Sequence, residues 1–132
     1  MKRTLLAASL VLVAGTSVGC GGGPPTDASK EDFCGVFEDF DKTLSEMDAE
    51  ASDEEFVKAL KDVGEELEEV GTPEDIPDDA RRGFEKTLEM IADLEDDATQ
   101  EDMDKIEDEL SEDEQKDTDA FDEYQAETCG DA

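Results

Sequence analysis

Apolar residues recur at the spacing of an α-helix in three separate segments of this chain. Steps of three or four positions place the members of each set on one face of a helix. The sets are Phe33, Phe37, Phe40, Leu44 and Met47; Phe56, Leu60, Val63, Leu67 and Val70; and Ala80, Phe84, Leu88, Ile91 and Leu94. No stretch rich in Val, Ile or Thr alternates apolar and polar residues, as a half-buried strand does. The sequence therefore predicts an all-α fold.

Capping residues and breaks predict where the helices begin and end. Ser52 with Glu55, and Ser111 with Glu114, have the spacing of a capping box. The tripeptide Gly71-Thr72-Pro73 is the clearest break. We expect four principal helices at 30–48, 53–70, 77–97 and 112–129, with a short connecting helix at 99–110.

The first twenty residues have the composition of an export signal. Lys2 and Arg3 precede an apolar run of about 14 residues at 5–18, which is shorter than the ~18 that a membrane-spanning helix needs. The run ends in Ser17-Val18-Gly19-Cys20, which resembles the bacterial lipobox, whose cysteine receives a diacylglyceryl group and becomes the mature N-terminus. We predict a signal peptide at 1–19, a lipidated Cys20 with a flexible Gly/Pro tether at 20–29, and an acidic helical domain at 30–132.

An alternative processing route stays open at the same boundary. Ser17 stands where lipoprotein signals most often carry Leu, and small residues at Ser17 and Gly19 also suit an ordinary secretory peptidase. The protein is then released as a soluble secreted protein in which Cys20 is a free thiol. With two acyl chains on Cys20, by contrast, the protein stays on the outer face of the cell membrane.

The other two cysteines predict one disulfide. An exported chain matures in an oxidising compartment, and with Cys20 acylated the single available pair is Cys34 with Cys129. Cys34 lies in the first turns of the first predicted helix and Cys129 in the last turn of the last one. In an up-and-down bundle these positions meet at one end only when the number of long helices is even. We therefore expect a four-helix bundle with a structural Cys34–Cys129 bridge.

The charge of the chain restricts its partners. There are 42 acidic and 11 basic residues, a formal net charge of −31, and removal of 1–19 takes away Lys2 and Arg3 but no acid. Nucleic acid and anionic headgroups repel such a polymer, so nucleic-acid binding is excluded and membrane attachment depends on the lipid of Cys20. A protein or a basic ligand is the partner class that the charge fits. Crowded carboxyl groups are expected to have raised pKa values in the folded state.

Residues for catalysis or metal binding are scarce. The chain has no His, so imidazole bases, the usual triads and His-ligated metal sites are absent. Asp39, Asp41, Thr43 and Glu50 match four positions of an EF-hand loop, but Leu44 occupies the sixth, where that loop needs Gly. We expect no enzyme, no cofactor and no specific metal site, with loose binding of divalent cations as the alternative.

The phenylalanines offer a separate test of function. A cavity in the bundle lined by Phe37, Phe40, Phe84 and Phe121 would indicate binding of an apolar ligand. A filled core would instead favour interaction through the acidic exterior.

Short motifs at both ends of the chain carry a family resemblance. With Ser17-Val18-Gly19-Cys20, the pattern Asp32-Phe33-Cys34 followed by Tyr124 and Cys129-Gly130 resembles small helical lipoproteins and secreted proteins of unknown function from high-GC Gram-positive bacteria. The resemblance implies an exported, noncatalytic interaction or envelope-associated module. The acid excess is also similar to that of secreted proteins from salt-exposed organisms.

Overall fold

The computed structural model describes residues 23–130. The predicted signal peptide and Cys20 lie outside the described residues. Within 23–130 the chain forms no strand and five α-helices: α1 Lys30–Glu46, α2 Asp53–Val70, α3 Asp78–Asp93, α4 Gln100–Asp108 and α5 Glu112–Cys129. The prediction of an all-α fold is confirmed, and α4 is the short connecting helix.

Helix ends account for the main differences from the predicted boundaries. The third helix was expected to reach residue 97, but it ends at Asp93 because Leu94 has an extended backbone. Leu94 and Ala98 are nevertheless buried, and they form a small apolar cluster with Val57. The turn carries both side chains onto α2. Leu94 thus keeps the burial that its spacing indicated without belonging to the helix.

Side-chain caps begin four of the five helices. Ser52 and Ser111 each accept a hydrogen bond from the backbone N–H three residues later, and Glu55 and Glu114 complete the two predicted capping boxes. Thr99 begins α4 in the same way, and Ser29 begins α1. An N-cap of this type stabilises a helix by about 1 kcal/mol, because it satisfies a backbone donor that the helix leaves free.

The four long helices form an antiparallel ring. Helix α1 packs against α2 and α5, and α3 packs against the same two neighbours. Cys34 near the start of α1 is bonded to Cys129 at the end of α5, and Lys86 of α3 pairs with Glu114 at the start of α5. The predicted up-and-down bundle is confirmed. We call the end that holds the N-termini of α1 and α3 the base, and the opposite end the distal end.

The core is concentrated towards the base. Its main cluster joins seven buried residues of the four long helices: Phe33, Cys34, Val36, Val63, Leu67, Phe84 and Phe121. Towards the distal end the buried cluster is smaller and consists of Val57, Leu94 and Ala98, with Leu60, Met103 and Ile106 packed against it. The distal end is therefore held by fewer apolar contacts than the base.

Glycine permits a close contact between α3 and α5. A Cβ atom at Gly83 of α3 would overlap the backbone carbonyl of Asp117 in α5 and would lie 2.9 Å from Cβ of Phe121. Both helices can approach this closely only because position 83 has no side chain. Gly35 of α1, by contrast, has nothing within 4 Å of the corresponding position.

Candidate functional site

The predicted cysteine pair forms a disulfide at the base. The Cα atoms of Cys34 and Cys129 are 5.4 Å apart, and the bond closes a loop with a sequence separation of 95. Cys34 is part of the main core cluster, and Cys129 packs against that cluster. The burial of Cys34 among core residues gives the bridge a structural role, since a redox site needs an accessible sulfur.

The segment 23–29, predicted as part of a flexible tether, lies along the turn between α2 and α3. Thr72 donates its N–H to the carbonyl of Pro25 at 3.0 Å, and Ala28 donates its N–H to the carbonyl of Thr72 at 3.1 Å. The guanidinium of Arg81 donates to the carbonyls of Pro24 and Pro25, at 2.6 and 2.9 Å, and to Oγ1 of Thr72 at 2.7 Å. These hydrogen bonds join the segment to the base.

Gly71 and Thr72 shape the surface on which this segment lies. Gly71 has a φ of +76°, and a Cβ atom there would overlap the carbonyl of Pro25. Thr72 is fully buried, although Thr is usually exposed. The Gly-Thr-Pro break in the sequence indicated a turn, but nothing in the Gly/Pro composition of 23–29 indicated its hydrogen-bonded partner. The available signal was Arg81, one of few cations in a chain dominated by acids.

The four phenylalanines that were candidates for lining a cavity pack into the core. The ring of Phe121 lies 5.4 Å from that of Phe84 and 6.5 Å from that of Phe37, measured between centroids. Phe33 packs edge-on against Phe37 at 5.2 Å, and Phe40 packs against the same cluster. The four rings that were candidates for lining a ligand cavity therefore contact the core or one another, which is the arrangement that favours interaction through the exterior.

An acidic groove lies between α3, α4 and α5. It has a volume of about 480 Å³, and its lining includes Met90, Glu107, Asp119 and Asp122. Partial burial raises the pKa of Asp122, and the nearby charges of Asp119 and Glu107 raise it further. Within residues 23–130 no group of three or more His, Cys, Asp or Glu side chains is arranged so that it could hold a metal ion. Asp39, Asp41 and Thr43, which match positions of an EF-hand loop in the sequence, lie in helix α1.

Most carboxyl groups with a shifted pKa depart from the expected direction. The pKa of Glu114 is lowered from its usual 4.5 to about 2, because it accepts hydrogen bonds from the backbone and side chain of Ser111 and from Lys86. The pKa of Asp102 is lowered by its bonds to Thr99, and that of Asp117 by Arg82. Capping and ion pairing thus outweigh charge crowding at these positions, whereas Asp122 follows the expectation.

A groove with an apolar floor opens at the distal end, and we call it the distal groove. It has a volume of about 460 Å³ and lies between the end of α1, the start of α2 and the start of α4. Its apolar lining includes Leu44, Met47, Phe56 and Met103, all of which are partly exposed. Asp48 and Asp53, both exposed, also line it.

A second depression adjoins the distal groove across the loop between α1 and α2. It measures about 490 Å³ and shares Met47, Asp48 and Ala51 with the distal groove. Its acidic lining residues are Glu46, Asp48, Glu50, Glu55 and Asp62. Its one basic residue, Lys58, is paired with Asp62 at 2.6 Å. The distal end therefore combines accessible apolar side chains with a dense acidic border.

Comparison of this chain with protein-family models, with curated proteins and with solved structures gives no match. Within residues 23–130, none of the helices combines the length and the apolar character that crossing a bilayer requires.

Proposed function

We propose that this protein is an exported lipoprotein, held on the outer face of the cell membrane by a diacylglyceryl group on Cys20, and that its helical domain is a noncatalytic interaction module. The observation that carries the proposal is the attachment of segment 23–29 to the base of the bundle. This attachment suits a domain whose base lies close to its anchor and whose distal end points away.

Chain geometry supports this orientation. Cys20 precedes Gly23 by three residues, which span at most about 11 Å when fully extended. Helix α1 has 17 residues, and at 1.5 Å per residue it separates the base from the distal end by about 25 Å. Anionic headgroups repel a domain of this charge, so the domain extends away from the lipid surface as far as its attachment at the base allows.

The chemistry of the described residues suits binding better than catalysis. The chain has no imidazole group, and the aromatic rings at the centre of the bundle are used for packing. The acidic exterior and the distal groove remain accessible to a partner. An exposed apolar surface with a polar border is typical of an interaction site.

The anchor is tested by expression of the full chain in a bacterium that processes lipoproteins. We expect the wild-type chain in the membrane fraction, with the mass of a diacylglyceryl group on its N-terminal cysteine peptide. Cys20→Ala should move the protein to the medium or leave an uncleaved precursor. Ser17→Leu, which restores the commonest lipobox residue, is the matched control and should keep the chain membrane-bound. A wild-type protein in the medium with an unmodified thiol at Cys20 would refute the anchor and support the secreted alternative.

A further inference from the structure

We infer that the distal groove binds a basic amphipathic helical segment of a partner protein. This inference rests on the proposed interaction function and names the kind of partner that the domain would bind. It does not depend on the lipid anchor, because binding at the groove does not require the lipid. Three observations carry it: the apolar stripes extend beyond the core, the groove is bordered by acids, and its lining is adaptable.

The apolar faces of α1 and α2 extend beyond the part that is buried in the core. Leu44 and Met47 continue the helical spacing of the core residue Phe33, and Phe56 begins the face that buries Val63. Among residues 23–130, neither buried cluster includes these three side chains. They line the distal groove instead. A chain in which 40% of the residues are charged thus leaves several apolar side chains accessible in one groove at this end.

The border of the groove selects the charge of its occupant. The exposed carboxylates of Asp48 and Asp53 line the groove, and Glu46, Glu50 and Glu55 line the adjoining depression. An apolar floor between acids complements a helix that has apolar residues on one face and Lys or Arg beside them. A second copy of this chain fits poorly, because each copy would bring a formal charge of −31.

The floor of the groove can adapt to an inserted helix. Met47 follows α1 and Met103 belongs to α4, so the methionines reach the groove from separate elements. Unbranched thioether side chains adjust to different partner side chains at little cost, and surfaces that bind varied amphipathic helices are rich in Met. Phe56 of α2 lines the same groove, so an inserted helix would meet side chains from three elements.

The test uses the full exported chain, purified from whichever fraction contains it. The binding result is then independent of whether Cys20 carries a lipid. The probe is an 18-residue peptide of Leu and Lys with Leu at positions i, i+3, i+4 and i+7. A scrambled peptide of identical composition and charge is its control. By calorimetry in 0.15 M NaCl we expect the amphipathic peptide to bind about tenfold more tightly than the scrambled one, because only its apolar face fits the groove.

Variants locate the binding site. Leu44→Gln with Met47→Gln should weaken binding of the amphipathic peptide about tenfold. Met90→Gln is the matched control: it changes a partly exposed methionine of the acidic groove, and affinity should change less than about twofold. A photo-reactive Leu in the peptide should cross-link wild-type protein at the distal groove, which tests the site even if the double variant folds poorly.

Several results would overturn the inference. Equal affinities for the two peptides would reduce the interaction to non-specific charge attraction. Cross-links that map to the acidic groove would place binding elsewhere. A concentration-dependent dimer that the Leu44→Gln/Met47→Gln variant converts to a monomer would assign the groove to a second copy, and cross-links between residues 5–18 and the groove in the unprocessed chain would assign it to the signal segment.

Discussion

Removal of the Cys34–Cys129 bridge should produce the largest single loss of stability in this protein. The bond joins the start of α1 to the end of α5, so it spans almost the whole helical domain. In the unfolded chain it closes a loop with a sequence separation of 95. The chain-entropy model gives a loop of this length an entropy loss of about 16 cal/mol/K, which is about 4.7 kcal/mol at 25 °C.

That magnitude is large against the total stability expected of a small domain. Single domains unfold with about 5 to 15 kcal/mol, and the distal end of this one has few buried apolar contacts. A loss of ~4.7 kcal/mol corresponds to a fall in melting temperature of about 20 °C or more for a domain near 100 residues. The reduced protein should therefore be partly unfolded at 37 °C.

Urea unfolding followed by circular dichroism measures the effect in three samples: oxidised wild type, wild type reduced by a phosphine, and Cys34→Ala/Cys129→Ala. Reduced wild type keeps both sulfur atoms, so it isolates the cross-link from the packing of the buried Cys34 side chain. Both uncrosslinked samples should also show a larger m-value, because their unfolded chains are less compact. A loss below about 1 kcal/mol in the reduced protein would refute the loop-closure reasoning.

Two further predictions concern the helix contact and the pH dependence. Gly83→Ala should lower the free energy of unfolding in urea by about 3 kcal/mol, because the added methyl overlaps the backbone of α5. Gly35→Ala is the control: its methyl has open space, and it should raise the free energy of unfolding by about 0.5 to 1 kcal/mol. Equal effects of the two substitutions would contradict the close contact. The pKa of Glu114 is lowered in the folded state, so its contribution is present above its unfolded value near 4.5 and is lost as pH falls towards about 2. Glu114→Gln should therefore be less stable than wild type at pH 7 but equal near pH 2, and a difference independent of pH would count against that role.

Helix periodicity and capping were readable from the sequence because both depend on neighbours along the chain. Ser52 and Ser111 cap the helices at which they were expected, and Phe33, Phe84 and Phe121 are buried. The even number of long helices also followed from the positions of the two domain cysteines. These inferences needed only spacing and the covalent order of the chain.

The base and the distal groove depend on contacts between distant segments, which spacing alone does not reveal. Arg81 lies 56 positions from Pro25, to whose carbonyl it donates a hydrogen bond. Thr72 is buried because it meets that same segment. Likewise Leu44 and Phe56 have the spacing of core residues, yet within residues 23–130 they stay partly exposed and line the groove. Periodicity identifies an apolar face, but the length of its neighbours decides how much of it is buried.

The few cations of the described residues are all used in ion pairs, and they leave most of the acid excess uncompensated. Within residues 23–130 each Lys and Arg forms an ion pair, and several pairs bridge separate elements, such as Lys61 with Asp96 and Arg82 with Asp117. Exposed pairs of this kind contribute only about 0 to 1 kcal/mol each, so they do not offset the acid excess. The remaining carboxylates stay uncompensated on the surface, where salt of about 0.15 M screens them beyond roughly 8 Å. A basic helix lying in the distal groove would supply the positive charge that the chain lacks, beside the apolar side chains that its own helices leave uncovered.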